Sequence, residues 1–190
     1  MTAGQTPGQR RRVRRKLVLL LLIGIAPVLA SYAAYYLWPR DRQVNYGTLH
    51  AITAPALAGT RLDGAPFALA DLRGKWILVS AAPGACDARC EAQLYASRQA
   101  RTIQNAQRER VVRVWLVTDD AMPPAPLLAA HPDLVIARAA APSVAALPGS
   151  GRDIYLIDPL GNLVLSWPAE PDIKRLAADL ARLLRASSIG

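Results

Sequence analysis

Two cysteines, Cys86 and Cys90, are the whole cysteine content of this 190-residue chain, and three residues separate them in the stretch PGACDARCEA. Such a pair admits three readings: a reversible disulfide, a soft two-thiolate site for Cu(I), or two small buried apolar side chains with no chemistry. Its surroundings favour the first two. Pro83 and Gly84 close an apolar run, and from Asp87 onward the pattern reads as a helix, so the pair lies where a strand passes into a helix. At a helix N-terminus the unpaired N–H groups and the dipole stabilise an anion. A thiol there deprotonates more readily and becomes a better nucleophile and a better ligand. Cys86 is expected at or just before the first turn. Cys90, four residues on, shares its face at about 5 to 6 Å, which suits a disulfide and equally lets two sulfurs converge on one soft ion.

The elements that must position the pair are legible on both sides of it. KWILVSA, residues 75–81, reads as a buried strand, and from Asp87 to about Arg108 the residues Ala92, Ala96, Ala100 and Ile103 recur at helical steps. VVRVWLV, residues 111–117, is apolar at nearly every position, as a parallel strand covered on both faces requires. DIYLID and NLVLSW, joined through Pro159, Leu160 and Gly161, predict a hairpin. In PDIKRLAADLARLLR, Pro171 suits a first helical turn, Asp172 suits the dipole, and Ile173, Leu176, Ala177, Leu180, Leu183 and Leu184 form one apolar stripe. A parallel βαβ followed by an antiparallel ββα around one sheet is the thioredoxin architecture. RLDGAPFALADLRGKW adds an N-terminal hairpin, and an Ala- and Pro-rich stretch runs from Ala121 to Pro148.

The formal charge of +9 is concentrated at one end. Residues 1–42 hold eight Lys or Arg against Asp41, whereas the other 148 residues hold 15 basic and 13 acidic side chains. A folded part so near neutrality argues against nucleic acid as a partner. The basic cluster ends where LVLLLLIGIAPVLASYAAYYLW, residues 17–38, begins without a single charge. As a helix these residues would span roughly 33 Å, enough for a bilayer core. The positive-inside rule then puts the N-terminus in the cytoplasm and the rest across the inner membrane, in the periplasm, an oxidising compartment in which a disulfide persists. A signal peptide cleaved after Ala30 is the alternative. The expected fold class is therefore α/β: a thioredoxin-like fold preceded by one N-terminal transmembrane helix. Its expected parts are a basic cytoplasmic segment at 1–16, a transmembrane helix at 17–38, a tether at 39–58 and a thioredoxin-like domain at 59–190.

The strand that ends in the cysteine loop, the C-x-x-x-C spacing, the helix after it, VWLVTDD, IYLIDPLGN and the C-terminal helix together resemble the Sco (SenC) family of cytochrome oxidase assembly proteins, over about residues 59–186. The resemblance implies a thioredoxin fold, copper held by the two cysteines and a distant histidine, and a role in building the binuclear copper site of oxidase subunit II by metal delivery or thiol reduction. On it Cys86 and Cys90 are the expected catalytic and metal-binding residues, Cu(I) is the expected metal, and Asp119 stands at the family's acidic position after the second buried strand. Two positions depart from the pattern: Glu91 stands where the family has proline, and Ser150 where it has the histidine. His50, in the expected tether, and His131, before Pro132, are the two histidines present, and a loop bringing His131 to the cysteines would complete a ligand set. Arg152, just before the IYLID run, is a candidate to lie over the cysteines, where a guanidinium stabilises a thiolate and repels a copper cation. Pro148 is near the place where thioredoxin-type reductases keep a cis-proline, and Asp87 and Glu91 read as a solvated helix face. The expected partners are oxidase subunit II or other respiratory assembly proteins, and the membrane. A general periplasmic thiol–disulfide reductase and a non-catalytic assembly scaffold are the alternatives.

Overall fold

In the computed structural model, which describes residues 7–37, 45–52 and 55–189, the charge-free run is the body of one long helix, α1 (Pro7–Leu37). It starts ten residues before Leu17 because arginine and lysine are good helix formers and simply extend it. Its stretch Arg14–Ala33 is long and apolar enough to cross a membrane, and none of that stretch is buried within the protein. The chain divides into two units, Met1–Val44 and Asn45–Gly190. Trp38 and positions 39–44, 53 and 54 of the expected anchor and tether lie outside the described residues.

The second unit is built on β4 (Trp76–Ala82), all seven of whose residues are buried. Because side chains alternate along a strand, Trp76 and Leu78 enter one apolar cluster and Ile77, Val79 and Ala81 another, on the opposite face. β4 pairs in parallel with β5 (Val111–Val117) and antiparallel with β7 (Ile154–Ile157). Among the described residues the sheet has eight strands, in the order β1-β8-β7-β4-β5-β6-β2-β3. The predicted N-terminal hairpin is β2 (Ala58–Arg61) with β3 (Pro66–Ala68), and the predicted C-terminal hairpin is β7 with β8 (Leu163–Trp167). Helices α2 (Ala88–Ile103) and α5 (Ile173–Ala186) bring Ala96, Ala100, Leu176, Leu180 and Leu184 onto the Trp76 side of the sheet. Short helices α3 (Ala125–Ala130) and α4 (Ala141–Ala145) flank β6 (Leu134–Ala139).

Several boundaries differ from the sequence reading, each for a physical reason. β6 lies inside the Ala- and Pro-rich stretch; most of its residues are only half-buried, so no strong apolar period marks it. α2 ends at Ile103, and a 3-10 turn, Asn105–Arg110, replaces its expected last turn. Ile103 is 49% exposed, while the inward face carries Gln93 and Ser97 beside Leu94 and Ala96. α5 begins at Ile173, with Asp172 as its N-cap accepting from the backbone N–H of Lys174 and Arg175, so Pro171 precedes the helix.

The largest correction concerns the tether. β1 (Thr48–Ile52) pairs with β8 and forms an edge of the sheet, carrying the folded unit back to Asn45 from the expected start at 59. Leu49 is 68% exposed, so β1 shows none of the alternation that betrays a half-buried strand. Long-range hydrogen bonds fix the segment. The buried carboxylate of Asp179 on α5 accepts at Oδ2 from the N–H of Tyr46 (2.8 Å), the N–H of Gly47 (2.9 Å) and Nε1 of Trp167 (3.1 Å). A side chain at position 47 would have its Cβ 2.6 Å from that indole nitrogen, so glycine alone fits. Asp179→Ala leaves three donors without their acceptor and is expected to cost about 2–3 kcal/mol in urea unfolding of the full chain. Asp179→Asn, which keeps an acceptor oxygen, should lose clearly less.

Candidate redox site

β4 ends at Ala82, whose carbonyl accepts from Nε1 of Trp115 (3.3 Å) and from the N–H of Thr118 (3.1 Å). The chain then turns at once, with the N–H of Cys86 donating to the carbonyl of Pro83 (3.0 Å). Cys86 has a φ of +50°, a left-handed conformation that costs a non-glycine residue. Asp87 follows as the N-cap of α2, extended and with Oδ1 accepting from the N–H of Cys90 (2.9 Å). Asp87 therefore has a definite task that the reading of a solvated face missed, while Glu91 is exposed.

Cys86 thus stands two residues before the helix and Cys90 in its first turn, with the two sulfurs joined in a disulfide and the Cα atoms 5.1 Å apart. Cys90 is 1% exposed and Cys86 6%. Both pack in an apolar cluster with Ala82, Leu94, Trp115 and Val117, against which Leu127, Leu134 and Ile136 also rest. Of the two cysteines, Cys86 is the less enclosed.

Two contacts that sequence reasoning did not foresee hold this loop. The carboxylate of Asp119, just beyond β5, accepts at Oδ1 from the N–H of Gly84 (2.7 Å) and from the N–H of Ala121 (3.2 Å). At Gly84 a Cβ would lie 2.0 Å from the carbonyl oxygen of Ala121, so the two backbones approach as only glycine permits. On the other side, buried Gln93, one turn past Cys90, donates from Nε2 to the carbonyl of Arg152 (2.6 Å). That bond ties α2 to the turn before β7. A polar residue on the inward face of a helix beside a cysteine was the available signal for Gln93.

Arg152 itself is exposed, and its carbonyl, rather than its guanidinium, meets the cysteine helix. Ser150 is exposed too, in a turn where Gly149, Ser150 and Gly151 all have positive φ, and the Tyr155 hydroxyl donates to the carbonyl of Pro148 across that turn. No peptide bond among the described residues is cis, so Pro148 is trans.

Neither histidine completes a ligand set. His50 lies on β1 with Nε2 2.8 Å from the hydroxyl of Ser166. His131 is buried with Nδ1 3.3 Å from the guanidinium of Arg113, which is itself held by Ser97 Oγ (3.1 Å), the Leu94 carbonyl (2.7 Å) and Asp133 (3.1 Å). Burial lowers the pKa of Arg113 to about 10 despite Asp133. Among the described residues no group of three His, Cys, Asp or Glu side chains could hold a metal ion.

The family model described as the transmembrane-like, thioredoxin-like C-terminal domain matches residues 76–187. Among solved structures, copper-bound ScoI of Arabidopsis thaliana superposes with a TM-score of 0.60 at 20% identity, over 72% of this chain and all of that one. Copper-bound yeast Sco1 gives 0.62 at 15% identity, over 73% of this chain and 96% of that one. The thioredoxin domain of a thiol–disulfide oxidoreductase from Bacteroides vulgatus gives 0.52 at 16% identity, over 72% and 98%. At such identities the likeness is one of fold. A comparison with curated proteins gives no match.

The His131 environment yields a pH dependence. Burial first, then the Arg113 and Arg98 cations, hold its pKa below the ordinary 6.5, with Asp133 opposing. As pH falls through 6.5 the unfolded chain takes up this proton before the folded one does. This group's contribution is therefore intact above that pH and is lost progressively below it. His131→Asn is expected to reduce the fall in stability between about pH 7 and pH 5, read from urea midpoints; an undiminished fall would remove His131 from the account.

Proposed function

The chain belongs to the transmembrane-like, thioredoxin-like C-terminal domain family, and from that premise we propose that it is a membrane-anchored thiol–disulfide exchange protein of the Sco type. The observation that carries the proposal is the Cys86–Cys90 disulfide at the N-terminus of α2, with both cysteines buried and Cys86 the less enclosed of the two. The basic residues before Leu17 support an N-terminus in the cytoplasm and a folded domain in the periplasm.

The proposed chemistry starts from the reduced pair. The Cys86 thiolate attacks one sulfur of a client disulfide, forms a mixed disulfide and expels the client's other sulfur as a thiolate. The Cys90 thiolate then attacks the Cys86 sulfur, closing Cys86–Cys90 and releasing the second client thiolate. Two electrons pass to the client, and a dithiol donor of the compartment must return them before another cycle. The client best matched by the Sco likeness is the cysteine pair of the copper site in cytochrome c oxidase subunit II. Likeness to a thiol–disulfide oxidoreductase supports the same chemistry on a wider range of clients.

Copper delivery is the second reading, favoured by the copper-bound state of two of the similar structures. Here Cu(I) would be cargo carried by two soft thiolates once the disulfide is reduced. The described residues add no third ligand of the family kind, since Ser150 is exposed and His131 faces Arg113.

Cys90→Ser in the full chain is expected to trap client as a mixed disulfide on Cys86, whereas Cys86→Ser should trap none; equal trapping by both variants would refute the order of attack. Titration of the reduced protein with Cu(I) against a competing chelator separates the second reading. Tight one-to-one binding lost in both cysteine variants supports delivery, and binding no better than theirs leaves exchange alone.

A further inference from the structure

We infer that Asp119 is a positioning residue that governs access to Cys86 by clasping the loop after β5 onto the cysteine loop. The inference deepens the exchange reading of this site and rests on it in taking Cys86 as the sulfur to be reached.

The β4–β5 ladder ends with the Thr118 N–H on the carbonyl of Ala82. Beyond it β4 has turned away toward α2 and offers no regular partner, and the Asp119 carboxylate takes over the pairing. Its Oδ1 binds one N–H from each side, that of Gly84 two residues before Cys86 and that of Ala121 in its own loop. A carboxylate acceptor makes each bond charge-assisted. Behind this clasp the carbonyl of Ala121 sits against Gly84.

From Ala121 the chain runs through Met122, Pro123 and Pro124 to α3, whose Leu127 packs on the cluster that contains both cysteines. α3 is six residues long and has no fully buried residue, so packing alone holds it lightly. The other polar ties of this strap are remote or long: Arg98 reaches the Ala130 carbonyl at its far end (2.7 Å), and Arg138 reaches the Asp120 carbonyl at 3.4 Å. Asp119 is exposed, so water can take its place on both N–H groups when the clasp opens. Opening frees residues 83–86 and uncovers Cys86, a residue otherwise only 6% exposed.

The test is the rate at which dithiothreitol reduces the disulfide of the full chain in detergent, followed by alkylation and mass. Asp119→Ala is expected to accelerate reduction about tenfold, the size of one lost hydrogen bond, with the equilibrium against glutathione within about twofold of wild type. Asp119→Asn keeps an acceptor oxygen without the charge and should reduce at a rate between those of wild type and Asp119→Ala. If it instead matches Asp119→Ala, the effect is one of charge and the clasp is wrong. An unchanged rate in Asp119→Ala also overturns the inference. Gly84→Ala presses the Ala121 carbonyl away from the opposite side and is expected to accelerate reduction as well, so it decides the matter should Asp119→Ala fail to fold. No client enters this measurement, so its failure and failure of the client trap are separate results.

Discussion

The constraint on which the folded unit depends is that β4 lies inside the sheet with both faces covered. A strand so placed has no water for its backbone, and every N–H and C=O must find a partner in β5 or β7. Its side chains must be apolar at every position, and they are, apart from Ser80. The same constraint shapes the chemistry at its end. Where β4 stops, Ala82 still has a buried carbonyl to satisfy, and Trp115 and Thr118 both donate to it. The chain can leave the sheet only through a tight turn, which Pro83, Gly84 and left-handed Cys86 supply. The cysteine loop is thus the exit of a fully buried strand, held rigidly at its base and fastened at its rim.

The fastenings are polar groups in or beside an apolar interior, each joining pieces of chain far apart in sequence. Asp179 holds the first residues of the unit to α5 and to Trp167. Gln93 ties α2 to the turn before β7. Arg113 reaches from β5 to the Leu94 carbonyl and Ser97 on α2 and to Asp133 beyond α3. A buried guanidinium with its donors met by a carboxylate, a hydroxyl and a carbonyl specifies where a helix sits more sharply than apolar contact can, because any slippage leaves a desolvated group unpaired. α2 carries Cys90 in its first turn, so these bonds also fix where the cysteine pair stands relative to the sheet.

This division explains which features the sequence disclosed. β4, β5, the β7–β8 hairpin and α5 are governed by local period and strong apolar content, and their residue patterns announce them. The cysteine pair at a strand-to-helix junction was equally readable, since Pro83 and Gly84 mark the break and Asp87 the new start. β1 and β6 depend on partners more than on their own residues. Leu49 faces outward and β6 is half-buried, so long-range pairing and Asp179, rather than pattern, make strands of them. The Asp119 and Gln93 contacts were hidden for the same reason: each joins positions 35 or 59 residues apart. Resemblance to a family placed Asp119 correctly after the second buried strand without saying what it binds. His131 shows the converse, a residue whose chemistry invited a ligand role but whose buried neighbour is a cation.

The unequal enclosure of the two sulfurs bears on how exchange at this pair must proceed. Disulfide exchange requires the attacking and attacked sulfurs to come within bonding distance, so a sulfur with no surface cannot meet a client. Cys90, in the first turn of α2 among Leu94, Trp115 and Val117, is the more enclosed at 1%, whereas Cys86, at 6%, stands in the turn before the helix. On the proposed chemistry, Cys86 is the sulfur shared with the client and Cys90 the one that resolves it, an order imposed by burial rather than by any difference between two chemically identical side chains. The N-cap reinforces the order. Asp87 already occupies the N–H of Cys90, which leaves Cys90 fixed by its backbone in the first turn while Cys86 sits in a loop with one hydrogen-bonded turn of its own. A fixed resolving sulfur and a more adaptable attacking one are what a step needs in which Cys86 must first reach outward and then return to the same partner.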